Sequence, residues 1–479
     1  MPSQSTSSRH RTKPWVRRRR ILLSTVAAFL LLPAMFLIAT LHFSEKRYEA
    51  QLNVIRASGF PVTAGELQDW KVPESTRPDA EPLKPPIQDA DTLKDTAELD
   101  AATVYGNVLE EITARSGDPE LPDISGLLEL LDKNGELSEA ELADLRRLLQ
   151  ANNAQLQLLI DAAEKLIGRF PLDYSKGFAM ELSHLAKLRQ AARLLRGVAY
   201  AAALDNNPEL ACRAVMAGLA FNRPLEQEPI LISQLVRWAV NGIMINTLGD
   251  TLGRTDYTDA QLAQLQRALA AGHDPMALRN ALVSERVFGI WAYDNISGTL
   301  NSVGLLRDYP LPGAVSALAQ AANAVGLYDT DRNTFLDIMD RMIQASTLPY
   351  TESSAIIQSL SPQTGSRFIL PNLNALMFPS LDRMPEAMAR NDARITQAAT
   401  ACAIERYRLA NGAPPDTLTA LVPAYLPAPP MDPFDSQPMR YRREGTAYTL
   451  YSVNVDGVDG GGVAGENARE GDLVFTRRP

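Results

Sequence analysis

One stretch near the N-terminus constrains this chain more than any other, because it carries no formally charged side chain from Ile21 to Phe43. It reads ILLSTVAAFLLLPAMFLIATLHF. A helix rises about 1.5 Å per residue, and about 20 apolar residues cross the hydrocarbon core of a bilayer. The segment is therefore long enough to span a membrane as one helix.

The charges on either side of this segment predict its orientation. Seven basic side chains and no acidic one precede it: Arg9, Arg11, Lys13, Arg17, Arg18, Arg19 and Arg20. The four charged side chains between residues 45 and 49 nearly cancel. Because Lys and Arg stay on the cytoplasmic side, we expect a basic cytoplasmic tail over 1–20, a transmembrane anchor over 21–43 and the bulk of the chain outside. A cleaved signal peptide is the alternative, but it has a shorter apolar core and a small-residue cleavage site.

The overall composition excludes one broad class of function. The chain has 479 residues and a formal net charge of −9, of which the first 20 residues contribute +7, so the remainder carries −16. An exported part this acidic is not expected to bind nucleic acid. Cys212 and Cys402 are the only cysteines, too few for a disulfide framework or a four-cysteine zinc site. They either pair with each other outside the cytoplasm or remain two buried thiols.

Behind the predicted span the sequence divides into four segments. Residues 44–100 read as a juxtamembrane helix followed by a linker rich in proline and charge. Residues 101–345 have helical periodicity almost throughout, in hairpins typical of a bundle or an irregular tetratricopeptide-like array. Residues 346–384 are rich in Pro, Ser and Asn and are predicted to be a connector, and residues 385–479 a small α+β module. The predicted fold class is mainly α, with an N-terminal transmembrane helix.

Local signals predict several helix ends. Ser138 with Glu141, and Thr258 with Gln261, have the spacing of capping boxes. Asn206-Asn207-Pro208 predicts a turn before a helix from Glu209 to Asn222, and Asp274-Pro275 predicts an Asp N-cap followed by proline at the first helical position. A helix that ends at Asn411-Gly412, before Pro414-Pro415, predicts a glycine C-cap.

Few residue patterns in the sequence are typical of a metal, cofactor or catalytic site. Five positions match a calcium loop of the EF-hand type: Asp132, Asn134, Gly135, Leu137 and Glu141. The first ligand position is Leu130, which cannot coordinate, so a turn followed by the capping box is the alternative. Gly460, Gly462 and Gly465 spell G-x-G-x-x-G, but too few residues follow for a dinucleotide fold. The sequence contains neither H-E-x-x-H nor G-x-S-x-G, and we predict that it is not an enzyme.

The end of the chain carries several short motifs in a fixed order. A helix end is followed by Asp-Pro-Phe, a tyrosine-rich strand and an Asp-Gly loop, and the strands are predicted at 439–443, 447–455 and 473–476. The residues concerned are Ile404 to Gly412, Pro415, Asp432-Pro433-Phe434, Tyr448 to Ser452 and Asp456-Gly457. This run of roughly 90 residues resembles the C-terminal domain of the major pseudopilin of type II secretion systems. The whole layout resembles membrane-anchored bacterial proteins that carry such a module.

The resemblance implies a structural calcium ion in the last loop. In that family, Asp side chains and backbone carbonyls of this loop hold the ion. Asp456 stands at the matching position, Asp472 near the final strand is a looser match, and Asp459 is an extra acid. Asn467 occupies a position where the family often has an acid. The alternative is a metal-free, solvated loop.

The chain also departs from the family. Pseudopilins carry their membrane helix directly before this domain, behind a G-F-T-L-x-E processing site, and here the anchor is far away and has no such site. We therefore expect that the chain is not processed or polymerised as a pilin.

Three functional hypotheses follow. The first is a non-enzymatic protein of the bacterial cytoplasmic membrane, single-pass, with its bulk in the periplasm, that scaffolds or docks onto a secretion or pilus-like assembly through envelope-protein partners. The second is a helical module that binds a peptide or small ligand at the envelope. The third is an enzyme of an unrecognised class.

Overall fold

The structure is a computed structural model. It describes residues 42–72, 123–164, 170–302, 312–360, 373–374, 378–467, 469–475 and 477. The predicted cytoplasmic tail, the predicted span apart from its last two residues, and the proline-rich part of the linker lie outside these ranges. Within the described ranges, no helix is both long enough and apolar enough to cross a membrane.

Most of the described chain is helical, which confirms the mainly α prediction. The helices are α1 (42–57), α2 (Ala64–Asp69), α3 (Ile124–Asn134), α4 (Glu139–Ala151), α5 (Asn153–Glu164), α6 (Ser183–Leu204), α7 (Pro208–Ala220), α8 (Asn222–Glu226), α9 (Leu231–Thr251), α10 (Asp259–Ala271), α11 (Ala277–Asp294), α12 (Ile296–Ser302), α13 (Pro312–Ala324), α14 (Asp329–Ala345), α15 (Tyr350–Leu360) and α16 (Met384–Asn411). Three short 3₁₀ segments cover Tyr174–Ala179, Phe378–Ser380 and Leu418–Leu421. The strands are β1 (Arg440–Glu444), β2 (Ala447–Ser452) and β3 (Leu473–Phe475).

The predicted helix ends are confirmed where local chemistry determines them. The Ser138 N–H donates to Glu141 Oε2 at 2.7 Å, and the Glu141 N–H donates back to Ser138 Oγ at 3.3 Å. Thr258 and Gln261 form the same reciprocal pair before α10. At the end of α16, Gly412 has φ +81°, a left-handed conformation that glycine adopts without steric cost.

The residues that match a calcium loop near position 135 form a turn followed by a capping box. This is the alternative to a calcium site that the sequence analysis gives. Gly135 ends α3 with φ +71°. The carboxylate of Glu141 is occupied by Ser138, whose backbone N–H and hydroxyl hold the pKa of Glu141 below its usual value.

The region 346–384 contains a helix that its composition does not predict. Proline and serine content suggests an irregular connector, yet α15 occupies Tyr350–Leu360. Ser353, Ile357 and Leu360 lie on its buried side. Their spacing of four and three residues is that of one helix face, and packing of this face outweighs the weak helix propensity of serine.

The described residues form two compact units. The first contains residues 42–59 and the described part of 293–336, and the second contains the described part of 60–292 and 337–477. The residues of the predicted α+β module therefore belong to the same unit as most of the predicted α-helical segment.

The first unit has an aromatic centre. The Tyr293 ring lies 6.3 Å from Tyr328 and 6.0 Å from Phe335, measured between ring centroids. The Arg332 guanidinium lies 5.5 Å from the centroid of Tyr48 on α1 and 5.9 Å from that of Tyr293. A guanidinium at this distance from an aromatic face is stabilising, so Arg332 connects α1 with the helices of 293–336.

One hydrophobic cluster of the second unit joins the helices to the C-terminal sheet. It contains Leu195, Val240 and Leu265 from the helices and Ile404 and Leu450 from the chain after residue 384, all fully buried. Side-chain hydrogen bonds also connect these helices with the chain after residue 384. They run from Gln266 Nε2 to the Tyr425 carbonyl at 2.7 Å, and from Asn241 Nδ2 to Asn391 Oδ1 at 2.9 Å.

The sheet is antiparallel throughout, in the order β1-β2-β3. Leu450 of the central strand pairs with Tyr441 on one side and Phe475 on the other. On the covered face, α16 contributes Gln397, whose side chain donates to the Leu473 carbonyl. The three strands lie where the sequence predicts them, each within a few residues.

Candidate functional site

The glycine-rich loop between β2 and β3 contains the three acids that the resemblance assigns to calcium. Asp472 is buried, and its two carboxylate oxygens accept the backbone N–H groups of Gly460 (3.2 Å), Gly462 (2.6 Å) and Val463 (3.2 Å). Hydrogen bonds from N–H groups to a carboxylate are stronger than those between neutral groups. Asp472 therefore fixes the course of the loop.

The other two acids of the loop are exposed, and they also accept hydrogen bonds. Asp456 accepts the N–H groups of Val458 at 3.1 Å and Gly471 at 2.8 Å. Asp459 accepts the Tyr451 hydroxyl and the Gly461 N–H, both at 3.0 Å. Each acid thus ties one part of the loop to another.

A calcium ion takes six to eight oxygen ligands, which here would have to come from these acids and from carbonyls. The described residues contain no group of three or more His, Cys, Asp or Glu side chains placed to share a metal ion. In this conformation the oxygens of Asp472 face N–H donors, so the three acids do not form one ligand set. Calcium binding stays a prediction. If it is correct, millimolar calcium raises the melting temperature of the full chain, and Asp456→Ala abolishes the rise.

Sequence reasoning did not assign a role to Asp432 of the Asp-Pro-Phe motif, which the structure places at the centre of the module. Its side chain is fully buried and accepts from Phe434 N–H (3.0 Å), Ser452 Oγ (2.9 Å) and Val453 N–H (3.0 Å). Arg440 also donates to it at 3.0 Å. A buried charge needs such a set of donors, so this acid holds the 432–440 hairpin against β2.

Glu405, in the helix-end motif, has a similar role. It is 2% exposed and forms ion pairs with Arg408 (2.6 Å) and with Arg477 (3.0 Å) near the end of the chain. The signal that could have indicated Glu405 is its position directly after the apolar run 401–404, which is buried; no such signal marks Asp432, because Met431 before it is exposed. The ion pairs of Glu405 connect the end of α16 with Arg477, so this acid joins two parts of the module.

A second polar cluster lies between α6 and α9. Glu228 is fully buried, and its Oε2 atom lies 3.1 Å from His184 Nε2 and accepts Ser233 Oγ at 2.7 Å. The His184 ring stacks on Phe170, with centroids 4.4 Å apart. In a catalytic triad the serine bonds the histidine. Here serine and histidine both bond the acid, so the cluster joins three chain segments and does not activate a nucleophile.

Both cysteines are buried and free. Burial raises the pKa of Cys212 to about 11 and raises that of Cys402 further. The thiolate is the reactive form of cysteine, and burial disfavours it. Of the two alternatives, the pair of buried thiols is the one observed.

The second unit also contains a cavity of about 190 Å³. It lies between the turn before α15, the first turns of α16 and the 433–436 loop, and its walls include Leu278, Leu348, Tyr350, Met388 and Pro433. One acid, Asp392, lies on the wall and is paired with His273 at 3.2 Å. Ligand pockets usually exceed about 300 Å³. The cavity has room for a single apolar side chain, and its chemistry suits binding more than reaction.

The chain was compared with protein-family models, with curated proteins and with solved structures, and nothing in any of the three sets matches it. The likeness to the pseudopilin C-terminal domain therefore stays a prediction from short motifs. The assignment of function must come from the geometry of the chain itself.

Proposed function

We propose that this protein is a non-enzymatic scaffold of the bacterial envelope, anchored in the cytoplasmic membrane by one helix and exposing its helical body and its α+β module in the periplasm. The charge-free segment 21–43 and the arginine-rich tail before it support the anchor and its orientation. Envelope proteins, including those of a secretion or pilus-like assembly, are the proposed partners.

The observation that carries this proposal is the connection at Ser44, the first residue after the predicted span. The Asn333 side-chain amide, on α14, donates to the Ser44 carbonyl at 3.0 Å and to the Ser44 hydroxyl at 2.9 Å. Asn333 is buried, and α1 runs through this point without a break. The proposed anchor thus continues directly into a folded unit. This arrangement is expected of a protein whose body is held in a fixed position relative to its membrane helix.

The buried acids support a structural role for the body. Asp432, Glu405 and Glu228 each hold separate segments together through several donors. The module also carries exposed apolar side chains on its loops: Met431 (48% exposed), Val458 (61%) and Val463 (66%). Exposed apolar side chains can serve as contact points for a protein partner where they share one surface. These loops are the proposed docking surface.

The cavity favours a second candidate, a module that holds an apolar group of a peptide or small ligand. Leu348 at the cavity is 40% exposed, so a ligand can reach it.

Photocrosslinking separates the two candidates. A photoreactive amino acid replaces Val463 in one full-length variant and Leu348 in a matched one, and both are irradiated in intact cells. The scaffold predicts protein adducts at Val463 that contain other envelope proteins. The ligand-binding candidate predicts a small mass increase at Leu348 and no protein adduct at Val463. A reporter that is active only in the cytoplasm, fused after Pro479, should be silent, and an active one would contradict the proposed topology.

A further inference from the structure

The helix α13, in the first unit, presents an apolar face that is left exposed by the residues the structure describes. Residues 309–328 contain no charged side chain, and no uncharged run as long occurs elsewhere after the predicted span. Five apolar residues of the helix and the turn after it are exposed on one side: Ala314, Ala317, Leu318, Ala321 and Val325. Leu318 is 49% exposed and Val325 is 59% exposed.

These five residues, here called the α13 face, are spaced by three or four positions and so form one stripe. The opposite side of the helix is the packed one, where Ala319 and Ala322 are buried. A surface helix of a soluble protein normally has this pattern reversed, with polar and charged side chains outward. Gln320 beside the stripe is the polar exception on the exposed side.

The α13 face is held in a fixed orientation. Ser297 Oγ donates to the Ser316 carbonyl at 3.3 Å, and Asn323 Nδ2 donates to the Tyr293 carbonyl at 2.8 Å. In the turn after the helix, Gly326 has φ +77°, and the Leu327 N–H returns to the Ala322 carbonyl at 3.0 Å. This closing turn leaves Leu327 42% exposed, next to the α13 face.

The same unit binds the chain where it leaves the predicted span. Asn333 holds Ser44, and it lies only six positions after Leu327, a distance of at most about 20 Å even for extended chain. The residues between them include the first turn of α14, which shortens that distance. The C-terminal end of the α13 face therefore lies close to the surface of the proposed membrane.

We propose that the α13 face lies against the bilayer surface, with Leu318 and Val325 in the boundary between headgroups and acyl chains of the outer leaflet. The inference rests on the proposed membrane anchor. A surface without charges and almost without hydrogen-bonding groups suits lipid better than a specific protein partner. The anchor also keeps the bilayer within reach of this face at all times, which favours contact even when each contact is weak.

The test uses the full chain in vesicles of three parts phosphatidylcholine to one part phosphatidylglycerol. Both native cysteines are buried, so a single introduced cysteine can carry an environment-sensitive fluorophore. Leu318→Cys and Ala321→Cys report on the α13 face. Ala57→Cys is the matched control: it is exposed on α1 and lies about 20 Å from Phe43 along that helix. A spin label near the top of the lipid acyl chains should quench fluorescence at residues 318 and 321 at least twofold more than at residue 57.

Three other outcomes overturn the proposal in different ways. Equal quenching at residues 318, 321 and 57 in protein that floats with the vesicles leaves the anchor intact and refutes contact of this face with lipid. Fluorescence at 318 that depends on the ratio of protein to lipid, without quenching, indicates a second copy of the chain on this face. Protein that does not float with the vesicles refutes the anchor itself, and this inference with it. Ala321→Cys removes no apolar contact, so it keeps the test valid if Leu318→Cys disturbs folding.

Discussion

At the scale of single residues, the buried acids explain why the C-terminal motifs have their sequence. Asp432 receives two backbone N–H groups, a hydroxyl and a guanidinium, and so joins the 432–440 hairpin to the last residues of β2. Removing its charge leaves Arg440 paired only with the more exposed acids Asp435 and Asp459, and it turns an amide N–H₂ toward groups that can only donate.

We therefore expect Asp432→Asn to lower the free energy of unfolding by about 3–5 kcal/mol, the usual cost of breaking a buried ion pair. Urea denaturation followed by circular dichroism measures it. Asp416→Asn is the control, because Asp416 is also paired with an arginine, Arg443, but its side chain is 90% exposed. We expect a change within about 0.5 kcal/mol there. Equal effects of the two substitutions would show that burial of Asp432 is unimportant.

Glu285 on α11 predicts that the free energy of unfolding depends on pH. Burial raises its pKa to about 7, although the Leu231 N–H opposes that shift. In the unfolded chain a glutamate titrates near pH 4.3. The folded state thus binds this proton more tightly than the unfolded state does. Well below pH 4 the carboxyl therefore leaves the free energy of unfolding unchanged. Between pH 4 and pH 7 it lowers that free energy progressively, and above pH 7 by a constant amount.

Glu285→Gln should therefore raise the free energy of unfolding at pH 8 by on the order of 1–3 kcal/mol and leave it nearly unchanged at pH 4. Urea denaturation at the two pH values measures the difference. Glu136→Gln, at an exposed position, is the matched control and should have little effect at either pH. A gain from Glu285→Gln that is the same at both pH values would contradict the assignment.

At the scale of elements, helix ends could be predicted and long-range pairs could not. The capping boxes at Ser138 and Thr258 and the glycine C-cap at Gly412 depend on residues within four positions of one another, so the sequence contains the whole interaction. The contact between Ser44 and Asn333 spans 289 positions, and no local pattern distinguishes this asparagine from others.

The same limit applies to the candidate site. The order of motifs correctly places the strands, and it identifies Asp472 as a residue of the loop. It does not reveal that Asp472 binds three N–H groups, because that depends on the left-handed turns at Gly461 and Gly462. Helix α15 was missed for a different reason: serine and proline indicate a connector locally, and burial of Ile357 against the rest of the unit decides otherwise.

The cap of α16 provides a prediction at this scale. Gly412 has φ +81°, and a Cβ placed there would meet no atom within 4 Å, so an alanine suffers only backbone strain. Gly412→Ala should lower the free energy of unfolding by about 1–2 kcal/mol. Gly65→Ala, in α2, has equal space and ordinary dihedrals, and it should be neutral or stabilising by up to about 1 kcal/mol. Thermal or urea unfolding of the pair tests this, and a loss at both positions would point to a cause other than φ.

At the scale of the whole molecule, α16 is the central element of the second unit. It packs against α9 and α10 on one side and against the sheet on the other, and Ile395, Ala398 and Cys402 are buried in the shared cluster. Arg406 extends from the same helix to Asp259 at 2.8 Å. Neither the helices nor the sheet has a complete core without it.

We therefore predict that the fragment 385–479 does not fold by itself, although its motifs suggest an independent module. Circular dichroism and heat denaturation should show no cooperative transition for the fragment. The full chain should lose the structure of its helices and of the sheet in one transition of the second unit. A cooperative melt of the isolated fragment would show that the α+β module is autonomous and that its packing on the helices is secondary.

The long separation in sequence between α10 and β3, which share one hydrophobic cluster, has a consequence for biosynthesis. Chains are made at about 5–20 residues per second, so roughly 10–40 s pass between the synthesis of α10 and that of β3. During this interval the hydrophobic cluster that α10 shares with the sheet lacks Phe475. A chain whose synthesis stops within it therefore leaves part of this core open and remains recognisable to the proteases that remove unfinished proteins.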